Sequence, residues 1–270
     1  MMRKYGIRPK RRLGQHFVIE PRLIKEMLMA AEISKNDIVL EVGAGIGTLT
    51  QALAEKCKRV IAVEVDRKLI GALNEVAMKE GNVDVVHADI LKYKPPSEVN
   101  KVISNIPYNI SSPFTEMLLK RLNFEVAVIT YQLEFARRLY ASPGDDNYSR
   151  LTILAYYYAE IRPIKVIPPA CFFPRPDIFS ELVLIKPKEE KPFILSNEEF
   201  FFTFVRELFS QRRRVLRHAL QHVFKNLNID TSILPSLERD LSSILRERVE
   251  KLDPETLAKI SNIIWHRIKR

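Results

Sequence analysis

Ile38-Val39-Leu40-Glu41-Val42 is an apolar run of strand length that breaks into Gly43-Ala44-Gly45-Ile46-Gly47 and continues at helical spacing with Leu49, Leu53 and Ala54. A strand, a glycine-rich turn and a helix in that order make a nucleotide-binding unit of an α/β sheet. Glycines let the backbone approach a ligand, and a helix amino terminus favours an anion. The spacing is G-x-G-x-G, and Thr48 stands where a dinucleotide fingerprint would place its third glycine. The anion can then be the carboxylate of a methionine moiety instead of a pyrophosphate. Two more apolar runs follow with acids at their ends. Val60–Val63 leads to Glu64-Val65-Asp66, and Val83–Val86 leads to His87-Ala88-Asp89. Glu64 is placed to bind both hydroxyls of a ribose, Asp89 to accept from an adenine amino group, and Asp66 to cap the following helix. Each acid alone reads as a plain loop residue; three strand tips in succession are harder to attribute to chance.

A fourth strand, Val102-Ile103, ends at Asn105-Ile106-Pro107-Tyr108-Asn109-Ile110-Ser111. Ser112-Pro113 offers a helix start, with the proline at the first helical position. Asn105 to Tyr108 therefore forms a corner at the carboxyl end of a strand, where ligands of open α/β sheets bind. The residue types suit methylation of an exocyclic amino group on a planar base. The lone pair of an adenine N6 is delocalised into the ring. The Asn105 amide oxygen and the Ile106 carbonyl can accept both N6 hydrogens and aim that lone pair at a methyl donor. Pro107 fixes the backbone, and Tyr108 offers a ring for stacking. No side-chain base is needed first, because the nitrogen becomes acidic only after the methyl arrives. The plainer reading is a strand-to-helix turn with a packed tyrosine.

Elsewhere, Pro21 to Ala31, Pro113 to Leu122, Glu134 to Tyr140 and Leu151 to Tyr158 read as helices. Phe124 to Thr130, Ile164 to Ile167 and Leu182 to Ile185 read as strands. Phe172-Phe173-Pro174-Arg175-Pro176 is stiffened by its prolines and either presents Phe172 to the second face of a bound base or keeps it in the core. Lys186 to Pro192 is charged and contains proline, which sets a boundary between residues 1–187 and a helical domain, 188–270. In that second part Glu198 to Phe209 and Glu255 to Ile268 are amphipathic. Gln211-Arg212-Arg213-Arg214, with Arg217 and His218, is either a phosphate grip or a solvated cationic face. The formal charge of +10 argues for a polyanionic partner. The basic start, Met1 to Arg12, is an arm for phosphates or a disordered tail. Cys57 and Cys171 lack metal-ligand spacing and read as reduced structural thiols of a cytoplasmic protein. No metal is expected, and no run is long and apolar enough to span a membrane.

These blocks together resemble the small-subunit rRNA adenine N6,N6-dimethyltransferases over nearly the whole chain. Leu13-Gly14-Gln15-His16-Phe17, Glu41 to Gly47, Asn105 to Ser111, Phe172-x-Pro174-x-Pro176 through Ser180, and Phe209-Ser210-Gln211-Arg212-Arg213 fall in the family's order. The resemblance implies a Rossmann-like class I methyltransferase sheet of seven mostly parallel strands with a small all-helical C-terminal domain. It implies transfer of four methyl groups from S-adenosyl-L-methionine to N6 of two adjacent adenines near the 3′ end of small-subunit rRNA. The implied partner is the immature small ribosomal subunit, met by a monomer. Carried over by position, cofactor contacts are His16, Val18, Gly43, Glu64, Asp89 and Asn105; the target-base site is Asn105, Ile106, Pro107, Tyr108 and Phe172. Many relatives have Asn in place of His16 and Leu in place of Val18. Two alternatives stand beside this reading. One is an Erm-type enzyme acting on a large-subunit adenine; the other is a non-catalytic ribosome-assembly or nucleic-acid-binding factor.

Overall fold

The computed structural model describes residues 4–10 and 13–269. Arg11, Arg12 and Met1–Arg3 of the expected phosphate-binding arm lie outside the described residues. Clustering of backbone contacts divides the chain into two compact units, residues 1–136 with Ala159–Pro187, and Arg137–Tyr158 with residues 188–270. The carboxyl-side boundary falls where charge and proline interrupt the sequence. Residues 137–158, counted with the first domain on sequence, group instead with the later helices.

The first unit carries the sheet. Its strands are β1 (Phe17–Val18), β2 (Ile38–Val42), β3 (Arg59–Glu64), β4 (Val83–His87), β5 (Lys101–Asn105), β6 (Val126–Gln132), β7 (Ala159–Ile167), β8 (Phe172–Phe173) and β9 (Ser180–Pro187). The helices among them are α1 (Pro21–Ala30), α2 (Thr48–Ala54), α3 (Arg67–Glu80), α4 (Ser111–Arg121) and α5 (Leu133–Arg137), the last ending at the unit boundary. Seven strands form one sheet in the order β4-β3-β2-β5-β6-β9-β7, and β1 pairs with β8 in a separate ribbon. Within the large sheet β9 alone runs against its neighbours. The central strands are apolar on both faces, as parallel strands covered by helices require.

The chain order reverses between β2 and β5, so their carboxyl ends open a crevice. Main-chain pairing there is confined to Val39–Lys101 and Leu40–Val102. Nearer the crevice the buried Ser104 hydroxyl bridges the two strands, donating to the Val42 carbonyl at 2.6 Å. At the opposite end Lys101 is buried, paired with Asp37 at 3.1 Å, and donates to the carbonyls of Ala31 and Glu32 that follow α1. A buried ammonium is tolerable because these acceptors replace its water.

Helix α4 begins earlier than the sequence suggests. A single 3-10 turn over Tyr108–Ile110 runs directly into Ser111, so Pro113 sits in the first turn and not at its first position. Proline is accepted there because first-turn N–H groups have no intrahelical acceptor. Strand β7 is longer than read, since residues 162–166 are all exposed and form no continuous apolar run.

The second unit contains α6 (Arg150–Tyr158), α7 (Glu198–Phe209), α8 (Leu216–Asn226), α9 (Leu234–Asp240) and α10 (Pro254–Ile268). Tyr148 and Ile153 are fully buried with Phe201, Phe204, Leu220, Phe224, Leu257 and Ile264. The Tyr148 hydroxyl donates to the Leu252 carbonyl at 2.7 Å. These shared apolar contacts are why residues 137–158 group with the helices. Asn197 and Asp253 cap α7 and α10 through backbone N–H groups three residues on.

Candidate active site

A cavity of about 240 Å³ lies at the β2/β5 switch point, entirely within the first unit. It is walled by residues 13–17, by Val42, Gly43 and Gly45, by Val63–Val65, by Ala88–Leu91, and by Asn105, Pro107, Asn109 and Ile110. Four strand ends and the segment before β1 thus converge on one space. Gly43, Glu64, Asp89, Asn105, Pro107 and His16 all line it; Ile106, Tyr108, Val18 and Phe172 do not.

The glycine loop earns its composition through close approach. Gly43 has φ +70°, and a Cβ there would stand 2.7 Å from Pro107 Cδ. Gly45 has φ +62°, and its Cβ would stand 2.8 Å from the Phe17 ring. The loop's amides are turned away from an anion-cradling role. Gly43 and Ala44 both donate to the Val63 carbonyl, at 2.8 and 3.2 Å, and Gly45 donates to Glu64 Oε2 at 2.8 Å.

Glu64 is 5 % exposed, and its other oxygen accepts from the Asp66 amide at 2.8 Å. Burial raises its pKa, against the lowering effect of those two N–H groups. A carboxylate has about four acceptor positions, so both oxygens keep a lone pair. Asp66 caps α3 through Lys68 N at 3.2 Å, as its position in sequence predicts. It also anchors the segment before β1, accepting from Lys10 Nζ at 2.8 Å and Gln15 Nε2 at 3.1 Å. Burial pushes the Asp66 carboxyl up, but those hydrogen bonds, the Lys68 N–H and the Lys10 charge together outweigh it and hold the group below its usual value. Asp89 Oδ1 accepts from the Leu91 amide at 3.0 Å.

Asn105 is the most informative side chain. Its Nδ2 donates to the His16 carbonyl at 2.6 Å. Its Oδ1 is buried and accepts no hydrogen bond from the described residues. An unpaired buried acceptor costs on the order of 1–3 kcal/mol unless a ligand supplies the donor. Tyr108 is half-buried, and its hydroxyl pairs with Ser180 Oγ at 2.6 Å. The His16 ring stacks on Tyr108 with centroids 5.2 Å apart and planes at 26°. His16 Nδ1 pairs with the Pro174 carbonyl at 2.6 Å.

Two expected contacts are not where the sequence placed them. Phe172 is 2 % exposed and packs in the core with Val18 and Leu182, so its ring presents no free face. Adjacent strand residues point to opposite faces; Phe173 therefore points outward and is 49 % exposed. The Val18 side chain is likewise in the core, opposite Phe172 in the ribbon. Sequence reasoning also missed the Lys10–Asp66–Gln15 anchor and Ser180 beneath Tyr108. The former joins residues 51 and 56 positions apart, and no local pattern encodes that. Among the described residues no group of three or more metal-ligating side chains occurs.

The arrangement has the parts for binding a nucleoside-bearing ligand and a planar amine side by side. Glu64 and Asp89 supply acceptors on one side, and the Asn105 corner supplies an unsatisfied acceptor beside a half-buried ring. Comparison with known proteins points the same way. The model of the family described as ribosomal RNA adenine dimethylase matches residues 6–263. A protein of Pyrococcus abyssi named probable ribosomal RNA small subunit methyltransferase A is 43% identical over 272 residues, covering 99% of this chain and 97% of its own. Its namesake from Methanopyrus kandleri is 40% identical over 267 residues, covering 97% and 94%. Among solved structures, a dimethyladenosine transferase from Plasmodium falciparum superposes with a TM-score of 0.79 at 29% identity, covering 94% of this chain and 98% of that one. The 23S rRNA methyltransferase ErmE superposes at 0.67 and 25% identity, covering 94% and 100%.

Proposed function

The chain belongs to the ribosomal RNA adenine dimethylase family, and from that premise we propose how its residues divide the work. The protein is an S-adenosylmethionine-dependent enzyme that dimethylates N6 of two adjacent adenines near the 3′ end of small-subunit rRNA. Bound in the cavity, S-adenosylmethionine supplies an electrophilic methyl group on a sulfonium centre. Glu64 receives the ribose hydroxyls and Asp89 the adenine amino group of that cofactor, while Gly43, His16 and Phe17 form its wall. Asn105 Oδ1 and the Ile106 carbonyl accept the two N6 hydrogens of the target base. This holds the amino group still and turns its lone pair toward the cavity. Pro107 keeps the Ile106 carbonyl in position through its contact with the glycine loop, and Tyr108 stacks on the base. The base must leave its helical stack to reach this corner. Catalysis by such a site is positioning and exclusion of water, with no side-chain base required before transfer.

The observation that carries this reading is the buried, unpaired Asn105 Oδ1. The acceptor is taken on an immature small ribosomal subunit in the cytoplasm, by a monomer. The net charge of +10 suits a polyanionic surface. The test is incubation of under-methylated small subunits with labelled cofactor, followed by mapping of the modified nucleotides. Label on two adjacent adenines near the 3′ end is expected. Label on a large-subunit adenine, or none on either subunit, overturns the reading.

A further inference from the structure

His16 makes three contacts to two separate segments. Its main-chain carbonyl accepts from Asn105 Nδ2 at 2.6 Å, which fixes which end of that amide is left over. Its Nδ1 meets the Pro174 carbonyl at 2.6 Å. A carbonyl can only accept, so the proton sits on Nδ1 and the plane of the ring is set by this bond. That plane lies against Tyr108 in an offset stack, 5.2 Å between centroids. The Tyr108 hydroxyl is held in turn by Ser180 Oγ. The phenol ring is thus fixed at its tip by one residue and along one face by another, so a substrate base can stack only on the opposite face.

We propose that His16 is a positioning residue for the target adenine: its ring, oriented by the Pro174 carbonyl, backs Tyr108 so that the base stacks at a fixed height beside Asn105 Oδ1. This rests on the reading of the Asn105 corner given above and assigns the imidazole to the acceptor base, not to the methyl donor. The main-chain contact to Asn105 survives any substitution at residue 16, so the two roles separate cleanly.

Three variants divide the ring from the hydrogen bond. In His16→Asn the amide nitrogen occupies the place of Nδ1 and keeps the bond to Pro174, but the stack is gone. His16→Phe keeps the stack without the bond. His16→Ala keeps neither. Offset stacks and neutral hydrogen bonds of this kind each correspond to roughly a several-fold effect. His16→Ala should lower kcat/KM for under-methylated subunits about tenfold. Asn and Phe should each recover part of that loss, and donor affinity measured by calorimetry should stay within about twofold in all three. The loss should largely vanish when His16→Ala is combined with Tyr108→Ala, because residues that act through one another are not additive. Where the double variant turns over too slowly, RNA carrying 2-aminopurine at the target position reports base stacking by its quenching without chemistry. Unchanged kcat/KM in His16→Ala, an equal loss in the Tyr108→Ala background, or a fall in donor affinity matching the fall in kcat/KM each overturns the proposal. Wild-type protein that fails to methylate the subunits overturns the function itself, a separate outcome.

Discussion

The Asn105 corner and the Arg212 junction each present a polar side chain in a motif-like run, and the structure treats them in opposite ways. Asn105 spends one end of its amide on the protein and leaves the other buried and unpaired. Arg212 instead engages each of its three nitrogens with the protein. Its Nε donates to Glu250 at 3.1 Å, Nη1 to the Asp146 carbonyl at 2.8 Å and Nη2 to the Asp145 carbonyl at 3.3 Å. The Glu250 backbone closes the same junction, donating to the Arg212 carbonyl and accepting from Gly144. The polar, turn-rich loop at 142–147 is where this guanidinium is anchored. A polar side chain whose nitrogens are all engaged inside its own unit acts as scaffold; a buried acceptor left over in a cavity wall is a place for a ligand. Of the basic run, Arg213 and Arg214 are the exposed members, and the phosphate-binding expectation passes to them.

The contrast breaks if function fails to follow the spare atom. Asn105→Ala should lower methyl transfer by about 10²–10³-fold, the loss typical of one aligned charge-stabilising group, with an unaltered melting curve. Near-normal incorporation of labelled methyl would end the assignment. Arg212→Ala should do the reverse. Removing a charged donor from three acceptors costs about 2 kcal/mol, seen as a lowered urea midpoint, while kcat on saturating subunits holds. A loss of kcat without loss of stability would make Arg212 a substrate contact after all.

Glu41 sharpens the comparison within the first unit. It is 2 % exposed, its Oε2 has no partner among the described residues, and burial raises its pKa to about 8. A folded-state pKa above the unfolded value means that folding favours the protonated form. The associated stability is complete below about pH 4.5 and is lost as the pH climbs through 8. Glu41→Gln should flatten that decline, so the difference in melting temperature between variant and wild type should move in the variant's favour from pH 5 to pH 8.5. Parallel curves would show that the carboxyl does not titrate there. The smallest effect belongs to Arg213→Ala. Stability should change by no more than about 0.5 kcal/mol, and the salt dependence of RNA binding should fall by about one charge. An unchanged slope would remove Arg213 from the RNA contact.

Much of this was legible beforehand, for identifiable reasons. Val39–Val42, Val60–Val63 and Val102–Ile103 read as strands because parallel central strands are apolar throughout, and Gly43, Glu64 and Asn105 at their ends do line the cavity. The seven-stranded, mostly parallel sheet follows the family resemblance, which left its strand order open. What escaped lies at longer range. Whether Phe172 or Phe173 faces outward depends on pairing with Phe17 and Val18, more than 150 residues away in sequence. The membership of α6 depends on which core Ile153 joins, and its apolar run fits either. The donor-side wall depends on Lys10 and Gln15 finding Asp66.

That last tie reaches further than stability. Asp66 holds residues 10–15 with its side chain while its amide sits on Glu64. Shortening the amino terminus past Lys10 therefore trims the pocket as well as the tail. An enzymologist who made such a deletion to improve crystals would record weakened donor affinity and look for the cause among the strand tips, when the missing part is a strap tied two residues away.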